Sequence, residues 1–246
     1  MGRLTWRPAS VIAGQPETPR TRTLTLAAAD WPGHRAGQHV DVRLTAEDGY
    51  QAVRSYSLSS PPDGEVIAIT VERLDDGEVS PWLVDEARAG DRLELRGPVG
   101  GYFVWEPAHG GPLLLVAGGS GVVPLATMVR ARAAEGSDVP VRMLCSARAP
   151  DDAIFFSELE DAAAGDEALE LIWTFTRSPP DGWTGYTRRV DAAMLSEVAW
   201  AAEMRPLAFV CGPTGFVELV AAELVELGYE RERIRTERFG PTGGTP

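Results

Sequence analysis

The 246-residue sequence predicts a β + α/β fold: a small antiparallel barrel over residues 1–107, then a Rossmann-like parallel-sheet domain over residues 108–246. Three observations carry this. Short alternating apolar runs separated by turn formers fill the chain as far as Gly97. After Trp105-Glu106-Pro107-Ala108-His109-Gly110-Gly111 the pattern becomes strand–helix alternation. The first element beyond that point, Pro112-Leu113-Leu114-Leu115-Val116-Ala117, is continuously apolar, as a parallel strand covered on both faces must be.

In the first half, strands are expected at residues 4–12, 21–26, 39–44, 52–59, 66–71 and 92–95. Alternation is plain in Val40-Asp41-Val42-Arg43-Leu44 and in Val66-Ile67-Ala68-Ile69-Thr70-Val71. Trp31-Pro32-Gly33, Glu47-Asp48-Gly49 and Pro61-Pro62-Asp63-Gly64 supply turns. One helix interrupts this pattern, with Ser80 expected as its N-cap and Pro81 as its first helical residue. Gly97-Pro98-Val99-Gly100-Gly101 closes the section, either as a plain connector or where backbone approaches a ligand.

In the second half, further strands are expected at residues 139–146, 169–176, 206–211 and 233–237. Helices over 122–134, 155–164, 191–199 and 215–227 separate them, a βαβ succession with right-handed crossovers. Ligands on such a sheet lie at the carboxyl ends of the strands, which directs attention to the loops there.

The totals exclude several classes of function. A formal charge of −13 argues against nucleic-acid binding, which needs clustered cations. Two cysteines, Cys145 and Cys211, cannot ligate a four-thiolate iron–sulfur cluster, and no metal site is expected. Low cysteine use and the lack of an apolar leader or spanning stretch lead to an expectation of a cytoplasmic chain without a membrane span.

Arg54-Ser55-Tyr56-Ser57-Leu58-Ser59-Ser60 is the run around which the rest is organised. Alternation sends Arg54, Tyr56 and Leu58 to one face and Ser55, Ser57 and Ser59 to the other. A phosphate-seeking cation, a flat ring and hydroxyls suit a flavin on its phosphate tether; a half-buried strand with a snorkelling arginine has the same pattern. The helix start at Ser80 is either a pyrophosphate seat or an unliganded, simply capped helix. Gly118-Gly119-Ser120-Gly121, between a buried strand and a helix, is a candidate phosphate turn with Pro124 in the first helical turn. Arg148 and Arg177, with Arg188 and Arg189 nearby, follow strand ends. Ser146 and Arg148 stand where an acidic residue would hold a free ribose, so a 2′-phosphate is the expected guest; surface arginines on loops have the same pattern. Cys211 before Gly212-Pro213 is either a nicotinamide neighbour or a small buried apolar residue. Phe239 is either core or a lid on a ring.

Together these runs resemble the ferredoxin–NADP⁺ reductase family, with its flavohaemoglobin and dioxygenase reductase modules. The resemblance rests on Arg54-Ser55-Tyr56-Ser57, Gly77-Glu78-Val79-Ser80, Gly97-Pro98-Val99-Gly100, Gly118-Gly119-Ser120-Gly121-Val122-Val123-Pro124 and Cys211-Gly212-Pro213, five markers in order. It implies that residues 1–107 bind FAD and residues 108–246 bind NADP, with NAD and FMN left open. Arg54 would meet the flavin phosphate, Tyr56 would pack on the flavin, and Ser57 would bond near the reacting nitrogen, with Leu58 beside it. Gly77, Val79 and Ser80 would support the FAD pyrophosphate. Gly119, Gly121 and Pro124 would shape the nicotinamide-nucleotide turn, with Gly212 and Pro213 opposite. Cys211 and Glu237 would flank the hydride path and Phe239 would cover the ring. The implied function is passage of electrons from NADPH through FAD to a separate ferredoxin or oxygenase component. A free-flavin reductase and a non-catalytic nucleotide sensor are the alternatives. The cysteines of a fused iron–sulfur domain are absent, and the chain has no room for a globin.

Overall fold

A computed structural model describes residues 4–62 and 66–240. The end of the expected turn at Asp63-Gly64 and Pro241 of the aromatic tail lie outside the described residues. Two compact units result. One holds the chain up to Trp105 together with Thr127–Ala134, and the other holds Glu106–Ala126 and the chain from Glu135 onward.

The first unit is built from β1 (Trp6–Thr18), β2 (Thr21–Ala28), β3 (His39–Thr45), β4 (Gln51–Ser57), β5 (Val66–Glu72) and β6 (Arg92–Val99). All pairings are antiparallel, in the order β4-β3-β6-β1-β2-β5. Inward residues such as Leu24, Leu26, Val40, Val42, Ile69 and Leu95 are fully buried, which is what their alternation with polar neighbours dictates. The two outer strands meet just past β4. There Leu58 donates its N–H to Gln38 (3.0 Å) while bridging Ile69, and Ser59 donates to the Ala68 carbonyl (2.8 Å). The strand expected over 52–59 therefore ends its ladder two residues early, because its last residues leave β3 to close the barrel.

The N-cap expected at Ser80 needs a correction. The chain is helical from residue 80, with Pro81 in helical conformation as expected, and widens into a single turn over Trp82–Glu86, but no side chain caps its start. The Ser80 hydroxyl points back instead and accepts the Leu74 N–H (3.0 Å).

The second unit carries β7 (Leu113–Gly118), β8 (Val141–Ala147), β9 (Leu169–Phe175), β10 (Leu207–Pro213) and β11 (Ile234–Phe239), all parallel. The order is β11-β10-β7-β8-β9. From β7 the chain winds to one side through β8 and β9, then returns to add β10 and β11 on the other. The strand order thus reverses between β7 and β10, where such sheets open a crevice. Connecting helices are α1 (Val122–Ala134), α2 (Phe156–Ala164), α3 (Ala192–Val198) and α4 (Thr214–Glu226). Asp191 caps α3 by accepting the Met194 N–H (2.8 Å). No helix of the described residues is long and apolar enough to cross a membrane.

Candidate functional site

In the first unit, β4 pairs Tyr56 with Val40 and Arg54 with Val42, so Arg54, Tyr56 and Leu58 share one face as expected. Burial increases along the strand: Arg54 is exposed, Tyr56 is half-buried and Leu58 is sealed in the core. Burial also pushes the Tyr56 phenol far above its ordinary range, so it stays neutral. The serines divide. Ser55 donates to Asp41 Oδ1 (2.6 Å), and Asp41 also holds Arg96 (2.7 Å). The Ser57 and Ser59 hydroxyls are buried with no hydrogen-bond partner among the described residues. A buried hydroxyl left unpaired costs about 1–3 kcal/mol, so these two are poised for an incoming polar edge.

The backbone beyond Ser57 is pinned by side chains that sequence reasoning missed. Thr127 donates to the Leu58 carbonyl (2.9 Å), Arg130 donates to the Ser59 carbonyl, and the His34 ring nitrogen Nε2 meets the Ser60 carbonyl (3.0 Å). Trp31 donates to His34 Nδ1 (3.3 Å), which leaves the Nε2 proton for Ser60. Burial lowers the His34 pKa and keeps this ring neutral. Thr127 and Arg130 lie three residues apart on one face of α1, a spacing that gives no hint of partners about 70 positions away.

Arg54 forms an ion pair with Glu78, and the Tyr50 hydroxyl donates to the other Glu78 oxygen (2.6 Å). Tyr50 and then Arg54 hold the Glu78 carboxyl below its usual range. The adjacent loop folds around Leu74. Gly77 donates to the Leu74 carbonyl (3.0 Å), and a Cβ on Gly77 would lie 2.7 Å from Ser80 Oγ. Val79 is fully buried beside it. Gly77, Val79 and Ser80 therefore shape one tight loop, with Ser80 acting as its internal brace.

In the second unit the glycine turn ends β7 at the point where strand order reverses. A Cβ on Gly121 would lie 2.1 Å from the Cys211 carbonyl oxygen, and one on Gly212 would lie 3.0 Å from the Gly118 oxygen. The two strand-end turns, Gly118–Gly121 and Cys211–Pro213, thus touch backbone to backbone. Gly119 has φ +54° and open space beyond it, so its requirement is conformational. Pro124 follows inside the first turn of α1, where its missing N–H is harmless.

The expected arginines separate into two groups. Arg148 and Arg177 are exposed on neighbouring loops joined by the Arg177 N–H to the Arg148 carbonyl (2.9 Å), and Arg189 is exposed near the same strand ends. None of these three forms an ion pair within the described residues. Arg188 is committed to Asp191 (2.8 Å) and departs from the expected cluster. Ser146 is half-buried at the end of β8, aligned with Gly118 and Thr174.

Cys211 and Glu237 are aligned on adjacent strands. Cys211 is fully buried; burial and then the neighbouring Glu237 push its thiol well above the ordinary range. It is a neutral wall rather than an exposed thiolate. Burial alone raises Glu237 from 4.5 to about 7. Phe239 is half-buried opposite Pro213, at the last position of β11.

The arrangement fits a dinucleotide cofactor in each unit: an orphaned hydroxyl pair with an exposed arginine on β4, and a glycine cradle at a sheet crevice. Residues 19–104 match the oxidoreductase FAD-binding domain, and residues 115–222 match the oxidoreductase NAD-binding domain. The ferredoxin–NADP reductase B of Sorangium cellulosum is 34% identical over 239 residues, covering 94% of this chain and 96% of that protein. The glycine betaine monooxygenase reductase subunit of Chromohalobacter salexigens is 34% identical over 212 residues, covering 85% of this chain but 56% of that protein. The chain therefore spans little more than half the length of the latter relative. Among solved structures, the FAD/NAD-binding domain of nitric oxide dioxygenase from Vibrio cholerae superposes with a TM-score of 0.85 at 26% identity, covering 96% and 99% of the two chains. The cytochrome P450 reductase of Amycolatopsis gives 0.84 at 26% identity, covering 97% of this chain and 71% of that one.

Proposed function

Because the chain belongs to the ferredoxin–NADP⁺ reductase family, we propose that it is an FAD-dependent NADPH oxidoreductase that delivers electrons to a separate protein acceptor, a ferredoxin or an oxygenase component. The observation that carries this reading is the buried, unpartnered Ser57 hydroxyl on a strand whose exposed end bears Arg54. Bound FAD supplies the conversion of a two-electron donor into single-electron steps.

The residues have distinct tasks. Ser57 offers its hydroxyl to the flavin edge, Tyr56 gives a neutral packing surface, and Leu58 anchors the strand in the core. Arg54 takes flavin phosphate, while the brace from Ser80 to Leu74 holds the loop of Gly77 and Val79 for the pyrophosphate. Gly119, Gly121 and Pro124 let backbone N–H groups at the start of α1 face the nicotinamide-nucleotide pyrophosphate, and Gly212 and Pro213 form the opposite lip. Cys211 gives an uncharged wall beneath the nicotinamide site. Glu237, half-protonated near pH 7, can hold or release a proton at its carboxyl. Phe239 is the ring cover.

NADPH rather than NADH is proposed because Arg148 and Arg177, with Arg189 and Ser146, leave guanidinium groups uncommitted where a 2′-phosphate would sit. The relatives named as ferredoxin reductase and oxygenase reductase subunit support the choice of acceptor. The test is steady-state reduction of ferricyanide with each nucleotide. Arg148→Ala/Arg177→Ala should lower kcat/KM for NADPH about 10²- to 10⁴-fold, each charged phosphate contact contributing roughly 1.5–3 kcal/mol. NADH turnover should stay within about twofold, a range too narrow to represent a lost charged contact. Equal losses with both nucleotides would overturn the coenzyme assignment. Turnover only with added free flavin would favour the free-flavin reductase alternative.

A further inference from the structure

We propose that Glu78, steadied by Tyr50, is a built-in competitor for Arg54 that the flavin phosphate has to displace, so that this chain reads the phosphate less strongly than its arginine alone would allow. The inference rests on the reading of Arg54 as the flavin-phosphate cation.

The geometry is specific. A guanidinium forks onto an anion through one of two edges, the Nη1/Nη2 end or the Nε/Nη2 side, and both include Nη2. In this structure Nη2 is given to Glu78 Oε2, and Nη1 donates to the Val53 carbonyl (2.7 Å). Glu78 is itself restrained, because its other oxygen accepts the Tyr50 hydroxyl (2.6 Å). Tyr50 is tied in turn through its N–H to Asp48 Oδ1 (2.9 Å). A carboxylate held on both oxygens does not swing away without losing a bond. A phosphate arriving at Arg54 therefore meets a negative charge within contact range of the same guanidinium.

Exposure sets the size of the effect. The Arg54 and Glu78 side chains are 51% and 45% exposed, so water and salt weaken both the attraction and the repulsion. About tenfold in affinity is the scale expected for one such like charge at close range. Glu78 is also the residue that follows Gly77 in the loop assigned to the pyrophosphate, so its charge would act on both phosphates of that group.

The test is flavin binding, independent of turnover. The full chain, stripped of flavin, is titrated with FAD, FMN and riboflavin and followed by quenching of flavin fluorescence. Glu78→Gln should bind FAD and FMN about tenfold more tightly while riboflavin affinity is unchanged. The gain should shrink toward nothing at about 1 M salt, where the Debye length is roughly 3 Å. Tyr50→Phe, which frees one Glu78 oxygen, should give a smaller gain of the same sign. Unchanged or weaker FAD binding by Glu78→Gln would overturn the inference, because Glu78 would then be neutral or would orient Arg54. Equal tightening of riboflavin would overturn it too, since that effect does not pass through the phosphate. If FAD and FMN bind no better than riboflavin in the parent protein and in Glu78→Gln, or no flavin binds at all, the reading of Arg54 fails and takes the inference with it.

Discussion

Glu237 is the residue whose chemistry departs furthest from what its letter alone suggests. In water a glutamate titrates near 4.5; burial on β11 moves this one to about 7. The folded pKa lies above the unfolded one, so between those values the native state keeps a proton that the unfolded chain has released. Its contribution to stability is complete below about pH 4.5 and is lost as pH rises through about 7. Glu237 should therefore add a downward slope to the pH dependence of thermal stability over that window, worth about 3 kcal/mol and set against the upward slope from the neutral His34. Glu237→Gln, neutral throughout, should remove most of that slope; an unaltered slope would place the proton elsewhere. The family resemblance put Glu237 close to the hydride path, but its alignment with Cys211 and its burial are tertiary properties and could not be read from Glu-Arg-Phe-Gly. The same limit hid the back-turned Ser80. Its pattern fits an N-cap, yet the hydroxyl binds Leu74 six positions earlier because the loop closes before the helix begins. Ser57 shows the opposite case: alternation assigned its face correctly, and the structure added that its hydroxyl has been left unpaired.

Among the elements, the two glycine turns of the parallel sheet carry the most constraint, and they do so for different reasons. Gly121 is limited by space: a methyl group there would lie 2.1 Å from the Cys211 oxygen, so β7 and β10 would have to part at their ends. Gly119 is limited by backbone angle alone, with nothing within contact of an added Cβ. Gly121→Ala should cost about 3 kcal/mol or more and abolish nicotinamide-nucleotide binding. Gly119→Ala should cost about 1–2 kcal/mol and leave measurable binding. Calorimetric unfolding together with nucleotide titration checks the pair, and equal costs would show that the contact between turns is not what fixes them. The elements themselves were largely legible. The uninterrupted run Leu113-Leu114-Leu115-Val116 needs cover on both faces, and residues 122–134 were assigned as a helix with the bounds now observed. What remained hidden was pairing across distance. The closure of the barrel through Leu58 and Ile69, and the side chains of α1 that hold the Leu58 and Ser59 carbonyls, depend on contacts that local periodicity does not encode.

At the scale of the whole molecule, the chain joins an antiparallel barrel with a polar, incompletely satisfied strand end to a parallel sheet whose strand order reverses at two touching glycine turns. Each unit makes sense as half of one reaction: one presents groups for a flavin, the other for a nicotinamide nucleotide. A net charge of −13 is compatible with this division because the cations the reading needs are few, Arg54 on β4 and Arg148, Arg177 and Arg189 grouped near strand ends. The proposed function requires that hydride from NADPH reach a flavin held by this chain. The most direct measurement is an anaerobic titration of the flavin-loaded protein with NADPH, following the blue absorption band of oxidised flavin. This band should bleach in proportion to added NADPH, with bleaching complete at one NADPH per bound flavin. A band that persists under excess NADPH, in protein that demonstrably holds flavin and binds the nucleotide, would contradict the proposed function.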